Sequence, residues 1–198
     1  MSFLTGTNTE LVYSSLNAGT AKTTFTSEVQ INDTAGMGVQ CHLPPDFWLA
    51  NNGQPGRTIR IVARGIVSST ATPTYTFTIR SGAAGNTTSA ILLGSAALTT
   101  ASGAANAFWE LQGDVVLTAI GAAGTNSTVR GIGYIISGSG GFTTNAGINA
   151  VYGGAASPGT VATVDTSITN YINFNVACSA SSASNSITLQ QLLVFGLN

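Results

Sequence analysis

Apolar residues in this chain recur at every second position and almost never with a helical period. Tyr75, Phe77 and Ile79 alternate with Thr74, Thr76, Thr78 and Arg80, and Ile172, Phe174, Val176 and Cys178 alternate with Asn173, Asn175 and Ala177. A period of two is the pattern of a strand that rests one face on a core. Val129, Gly131, Gly133 and Ile135 alternate with Arg130, Ile132, Tyr134 and Ile136. Val115, Leu117 and Ala119 alternate with Val116, Thr118 and Ile120. In these two segments both sets are rich in apolar residues, which predicts strands buried on both faces. Further strands are predicted at 10–16, 23–31, 57–68, 90–93, 107–111, 161–166 and 186–196. No long stretch holds a capped i, i+3, i+4, i+7 stripe. The Ala-rich stretch 95–107 is broken by Gly103 and by Thr99-Thr100, which favour loop or strand over helix.

The separators between these segments carry turn chemistry. They include Asn51-Asn52-Gly53-Gln54-Pro55-Gly56, Gly82-Ala83-Ala84-Gly85-Asn86 and the Gly-rich stretches 121–126, 138–141 and 153–159. About nine or ten strands joined in this way describe an all-β sandwich. The spacing is long for simple hairpins, so the prediction is a jelly-roll-like antiparallel β-sandwich whose connections cross between two sheets. Residues 1–16 read as an N-terminal arm leading into the first strand, and 17–198 as one β-sandwich domain. The segment 138–159 reads as a long surface loop or exposed hairpin.

Charge is scarce. Six Lys and Arg and seven Asp and Glu make up 7% of 198 residues, against about 25% in an ordinary soluble domain. Five arginines and Lys22 do not form the basic stripe that nucleic acid requires. The longest apolar runs, 89–98 and 191–197, are far shorter than the roughly 20 residues of a membrane-spanning helix. The opening Met1-Ser2-Phe3-Leu4-Thr5-Gly6 lacks the basic and apolar regions of a signal peptide. The expectation is therefore synthesis in a cytoplasm, with no nucleic-acid or membrane partner and with Cys41 and Cys178 as buried thiols.

No constellation of residues organises catalysis, a metal or a cofactor. Cys41 and His42 are adjacent, and neighbours on an extended chain point to opposite faces. A zinc site needs three or four ligands, and Cys178 is the one other soft candidate. Glu110 and Asp114 lie four positions apart, about 13 Å along a strand, beyond the carboxylate spacing of glycosidases. Asp33, Asp46 and Asp165 are isolated, whereas a calcium site draws several oxygens from one loop. Gly131-Ile132-Gly133 and Gly36-Met37-Gly38 lack the strand-to-helix setting of a phosphate cradle. Catalytic residues, metal and cofactor are all expected to be none.

Two groups suit contact with a partner. Arg60 and Arg64 fall on one face of a strand with Val62 between them. With Arg80 on a neighbouring strand they are placed to meet Glu110, Asp114 or an acidic partner, and cross-strand pairing is the simpler reading. Phe47 and Trp48 follow Pro44-Pro45-Asp46. Trp109 is expected inside, and Phe47 or Trp48 near an interface.

The stretches Leu43-Pro44-Pro45-Asp46-Phe47-Trp48, Gly56-Arg57-Thr58-Ile59-Arg60-Ile61-Val62-Ala63-Arg64-Gly65 and Pro73-Thr74-Tyr75-Thr76-Phe77-Thr78-Ile79-Arg80 resemble the virion structural proteins of tailed bacteriophages. So do the Gly/Ala/Thr/Ser/Asn-rich strands and the apolar stretch 192–197. Jelly-roll proteins that decorate or cement phage heads look like this. The trimeric jelly-roll heads related to tumour necrosis factor and complement C1q are also similar. The resemblance implies a non-enzymatic protein on the outer surface of a phage head, where it binds the major capsid protein and stabilises the shell, most readily as a homotrimer. Phe3, Leu4, Phe47, Trp48, Arg60 and Arg64 are its candidate contact residues. The alternative is a receptor- or carbohydrate-binding module of a phage tail or bacterial surface fibre.

Overall fold

Alternation along the chain becomes two layers of antiparallel strands with their apolar faces turned toward each other. The computed structural model describes residues 9–49, 55–83, 87–122, 125–143, 148–152 and 161–197. In chain order the strands are β1 (Thr9–Ser14), β2 (Lys22–Thr23), β3 (Val29–Gln30), β4 (His42–Leu43), β5 (Thr58–Ser68), β6 (Thr74–Gly82) and β7 (Ala90–Ser95). They continue with β8 (Leu98–Thr99), β9 (Ala107–Ala119), β10 (Ser127–Ser137), β11 (Ile148–Tyr152), β12 (Ala162–Val164), β13 (Asn170–Cys178) and β14 (Ser186–Leu197). One helical turn, α1 (Thr34–Met37), follows β3, and a 3-10 turn spans Phe47–Leu49.

The first layer runs β1-β14-β5-β9-β10, and the second runs β7-β6-β13-β3. Strand β11 bonds to β10 on one side and to β7 on the other, so it closes one edge of the sandwich. The chain crosses between layers from β5 to β6, from β7 to β9 and from β13 to β14. The fold is thus the expected jelly-roll-like β-sandwich. The large rings join its layers. Trp109 of β9 stacks on Phe174 of β13 at 5.9 Å and lies 5.1 Å from Phe77 of β6. All three are fully buried.

Near the closed edge the layers converge. A Cβ on Gly113 of β9 would sit 2.4 Å from Leu93 Cδ1, and one on Gly131 of β10 would sit 2.6 Å from Leu93 Cδ2. A side chain at Gly131 would also meet Leu92 O at 2.5 Å and push the β7 backbone away, whereas one at Gly113 would displace the Leu93 side chain. Glycine at these inward positions lets β7 approach β9 and β10 closely enough for β11 to bridge the layers.

Several expectations change. Segments 107–111 and 115–120 are parts of one strand, β9, which continues through Gly113. The predicted strand 23–31 is broken into β2 and β3, and Thr24 between them has φ 59°. Within the segment 138–159, which reads as a long surface loop or exposed hairpin, β11 forms and pairs antiparallel with β10, although 144–147 and 153–160 lie outside the described residues. Strand β6 does not neighbour β5, so Arg80 stands in the second layer, away from Arg60 and Arg64. Finally, β9 and β10 are not buried on both faces. Ile132 is 68% exposed, and Val116, Tyr134 and Ile136 are only half-buried.

Candidate functional site

The two outer faces of the sandwich are built differently. On the second layer, β3 pairs along the edge of β13, and the side chains of Glu28 and Gln40 reach over the outward side chains of β6 and β13. Glu28 accepts hydrogen bonds from Arg80 Nε at 2.7 Å and Nη2 at 2.8 Å, and another from Thr78. Burial opposes its charge, but the hydrogen bonds from Arg80 and Thr78 and the charge of Arg80 outweigh burial, so the Glu28 pKa lies below its ordinary value. Asn32 acts as a side-chain substitute for backbone in the ladder. Its Nδ2 donates to Ile172 O at 2.8 Å and its Oδ1 accepts from Phe174 N at 2.9 Å. Gln40 Nε2 donates to Asn173 Oδ1 at 2.7 Å. Asn32, Asn173 and Asn175 are consequently buried polar residues.

The outer face of the first layer has no such cover among the described residues. The strand registers align Leu11, Phe195, Arg60, Asp114 and Ile132 in one row across β1, β14, β5, β9 and β10. The rows beside it are Leu193–Val62–Gln112–Tyr134 and Gln191–Arg64–Glu110–Ile136, and Ile66 pairs with Phe108 nearby. Leu11 is 57% exposed and Phe108 48%. Four of the charges on this face neutralise one another in two pairs. Arg60 holds Asp114 by two hydrogen bonds of 2.7 Å, and Arg64 donates to Glu110 at 2.6 Å and to Gln191 at 2.7 Å. Arg60 and Arg64 are therefore cross-strand partners of the two carboxylates, and each pair is flanked by apolar side chains.

A third feature lies at the sandwich edge opposite β11. There β1 of the first layer faces β4 and the turn after it, and a cleft of about 500 Å³ opens between them. It is lined by Glu10, Val12, Tyr13, Val39, Gln40, His42, Pro44 and Phe47. Tyr13 Oη donates to Val39 O at 2.7 Å across the cleft. Burial, and then the nearby Cys41, push the Tyr13 pKa up, so the phenol keeps its donor proton at neutral pH. At the floor, the Arg57 guanidinium lies 3.8 Å over the Phe47 ring, donates to Phe47 O at 2.5 Å and pairs with Glu10. Gly196 gives the pair its space, because a Cβ there would come within 2.8 Å of Glu10 Oε1.

Phe47 and Trp48 lie inside the sandwich end. Both are buried, at 8% and 1% exposure, and they pack edge to face in the 3-10 turn. The aromatic pair closes the sandwich end and leaves only part of Phe47 at the cleft wall. Phe3 and Leu4 lie outside the described residues. Cys41 is buried while His42 is exposed, so the pair does not converge. Burial raises the Cys41 pKa, which keeps it an unreactive thiol. Among the described residues both cysteines are free, and no three His, Cys, Asp or Glu residues gather as a metal site. Asp33 pairs with Lys22 and caps α1, and Asp165 bonds Ser167 within its own turn. Sequence reading missed the cleft, whose parts come from segments 26 residues apart joined by a hydrogen bond to a backbone oxygen. No local pattern announces such a contact.

No family model and no curated protein matches this chain. Similar solved structures include the CBM2 module of the evolved Dit of Lactobacillus casei BL23 phage J-1, 12% identical over 79% of this chain and 67% of that one, with a TM-score of 0.31. The marine PL-14 alginate lyase from Aplysia kurodai is 7% identical over 69% of each chain, with a TM-score of 0.33. Peanut lectin, solved with a 9mer peptide, is 9% identical over 100% of this chain and 95% of that one, with a TM-score of 0.34. At these TM-scores the likenesses carry no argument about what this chain binds or does.

Proposed function

We propose that this chain is a non-enzymatic structural subunit of a phage particle, a head decoration or cement protein that works as a homotrimer. The outer face of the β1-β14-β5-β9-β10 layer carries the reading. Strands β9 and β10 have the composition of strands buried on both faces, yet the described chain covers them on one. Four strands of 11–13 residues and the six-residue β1, about 4.8 Å apart, present about 800 Å², the area one partner gives to an interface of standard size. The two arginine–carboxylate pairs of the face are already made within the chain, so neutral contact with a copy or a capsid subunit need not strand them. Light scattering on the purified protein is expected to give three copies, and purified phage heads are expected to retain it. A monomer at high concentration that heads do not retain would overturn the proposal.

A second reading rests on a different observation. The open cleft between β1 and β4 suits a receptor- or carbohydrate-binding module of a phage tail or a bacterial surface fibre. Its size falls within the roughly 300–1,000 Å³ of ordinary small-ligand sites. Antibody labelling of intact particles separates the two, by marking either the head lattice or the tail tip.

A further inference from the structure

We propose that the cleft between β1 and β4 is a binding site for a neutral saccharide, with Glu10, Gln40 and His42 reading hydroxyl groups and Tyr13, Val39 and Pro44 receiving the C–H face of a sugar ring. The proposal rests on the binding-module reading above and names the residues and ligand class. The hydrogen-bonding groups left over at the cleft are its first support. Gln40 has its amide nitrogen committed to Asn173, so its oxygen remains as an acceptor. Glu10 spends Oε1 on Arg57 and is 52% exposed, which leaves a second carboxylate oxygen open. His42 Nδ1 lies 3.3 Å from Gln40 O, and its exposed ring leaves Nε2 to a ligand. The Tyr13 hydroxyl is tied to Val39 O, so its ring is held in place as a wall and does not compete for the ligand. Acceptors dominate this set, and they select a ligand rich in O–H donors.

Charge is the second support. The one cation at the cleft, Arg57, is a side chain 4% exposed, roofed by Phe47 and neutralised by Glu10. What the cleft presents outward is a carboxylate. Among the described residues there, phosphates, sulfated sugars and uronates meet no unpaired Lys or Arg to offset the loss of their hydration. A peptide cation gains little from a carboxylate already paired. A neutral polyol with one apolar ring face satisfies both walls, since apolar contact gives area and a few placed polar groups give orientation.

The test is a glycan array carrying neutral hexose and N-acetylhexosamine oligosaccharides beside sialylated, sulfated and uronate ones, followed by calorimetric titration of the strongest neutral hit. A neutral glycan is expected to bind, and Gln40→Ala and His42→Ala are each expected to weaken it roughly tenfold, the loss of one hydrogen bond. His42 is exposed, so its variant folds even if Gln40→Ala loosens the contact with Asn173. A preference for anionic glycans would overturn the charge argument. Undiminished binding by both variants would overturn the site and leave the binding-module reading standing. Binding to no glycan would remove both.

Discussion

Among the described residues, side chains from outside the strands cover part of the second layer's outer face and none cover the first's. Over β6 and β13 lie the side chains of Glu28 and Gln40, which bond to Thr78, Arg80 and Asn173, and at the edge Asn32 bonds the β13 backbone and accepts from Gln30. Among the described residues, only the outward side chains of the strands themselves lie over β5, β9 and β10, Ile132 and Phe108 among them. The difference shows what scarce charge means here. Where the chain folds over itself, buried amides replace charge as the polar element. Where it does not, apolar side chains and self-paired ions remain, a surface that is stable in water but gains free energy when covered.

The strongest way to break the contrast is to charge the open face. Ile132→Lys places an ammonium beside Asp114, the cross-strand partner of Ile132, so the isolated subunit tolerates it within about 0.5 kcal/mol. Between copies the same ammonium is an uncompensated buried charge, which costs roughly 3–5 kcal/mol and weakens association more than a hundredfold. Sedimentation at matched concentration should show the wild type assembled and the variant monomeric but still folded, with its melt lower only by the stability that association adds. An assembly indifferent to this substitution would mean that the face is not where copies meet.

The covered face is sharpened by Asn32→Ala. Both bonds of the amide run to backbone groups of β13, Ile172 O and Phe174 N. Removing it leaves a buried donor and a buried acceptor without partners, at a cost of roughly 2–4 kcal/mol. Urea unfolding reads the loss directly. A midpoint shift equivalent to under about 0.5 kcal/mol would show that water enters and that the cover is looser than its contacts imply.

These two substitutions also show what the sequence disclosed. Period-two alternation located most of the strands because it depends on local residues and one core face. The apolar outward set Ile132, Tyr134 and Ile136 was legible as well, but it was read as burial within the chain. The pattern records that a face is apolar and says nothing of which body covers it. Asn32 was invisible because its partners are 140 and 142 positions away. The cleft escaped for the same reason, since Tyr13 and Val39 signal neither strand pairing nor chemistry on their own. Arg60 and Arg64 were legible as a same-face pair awaiting carboxylates. The placement of Arg80 failed because a crossing connection, not a hairpin, joins β5 to β6.

Acid distinguishes the faces next. Glu28 has a folded pKa below its ordinary 4.5. Its contribution is complete above the unfolded pKa and is lost as pH falls through the depressed folded value. Hydrogen bonds to a charged group of this kind contribute about 1.5–3 kcal/mol. Glu28→Gln should lower stability at pH 7 and flatten the decline of the melting temperature below about pH 4.5. A variant that loses stability by the same amount at pH 7 and pH 3 would remove Glu28 from the acid response.

The smallest effect is expected from the ion pairs of the open face, and its smallness is informative. Arg60 and Asp114 are 40% and 31% exposed, and Arg64 and Glu110 are 37% and 19% exposed. In the isolated subunit solvent screens them, so a double-mutant cycle on Arg60 and Asp114 should return about 0.2–1 kcal/mol, falling with added salt. Covering the face withdraws that solvent. The same cycle measured on association should then show a larger coupling with weaker salt dependence, because breaking one partner strands the other in the contact. Equal couplings in the free and assembled states would mean that water still reaches the pair and that the apolar rows, not the arginines, form the buried centre of the contact.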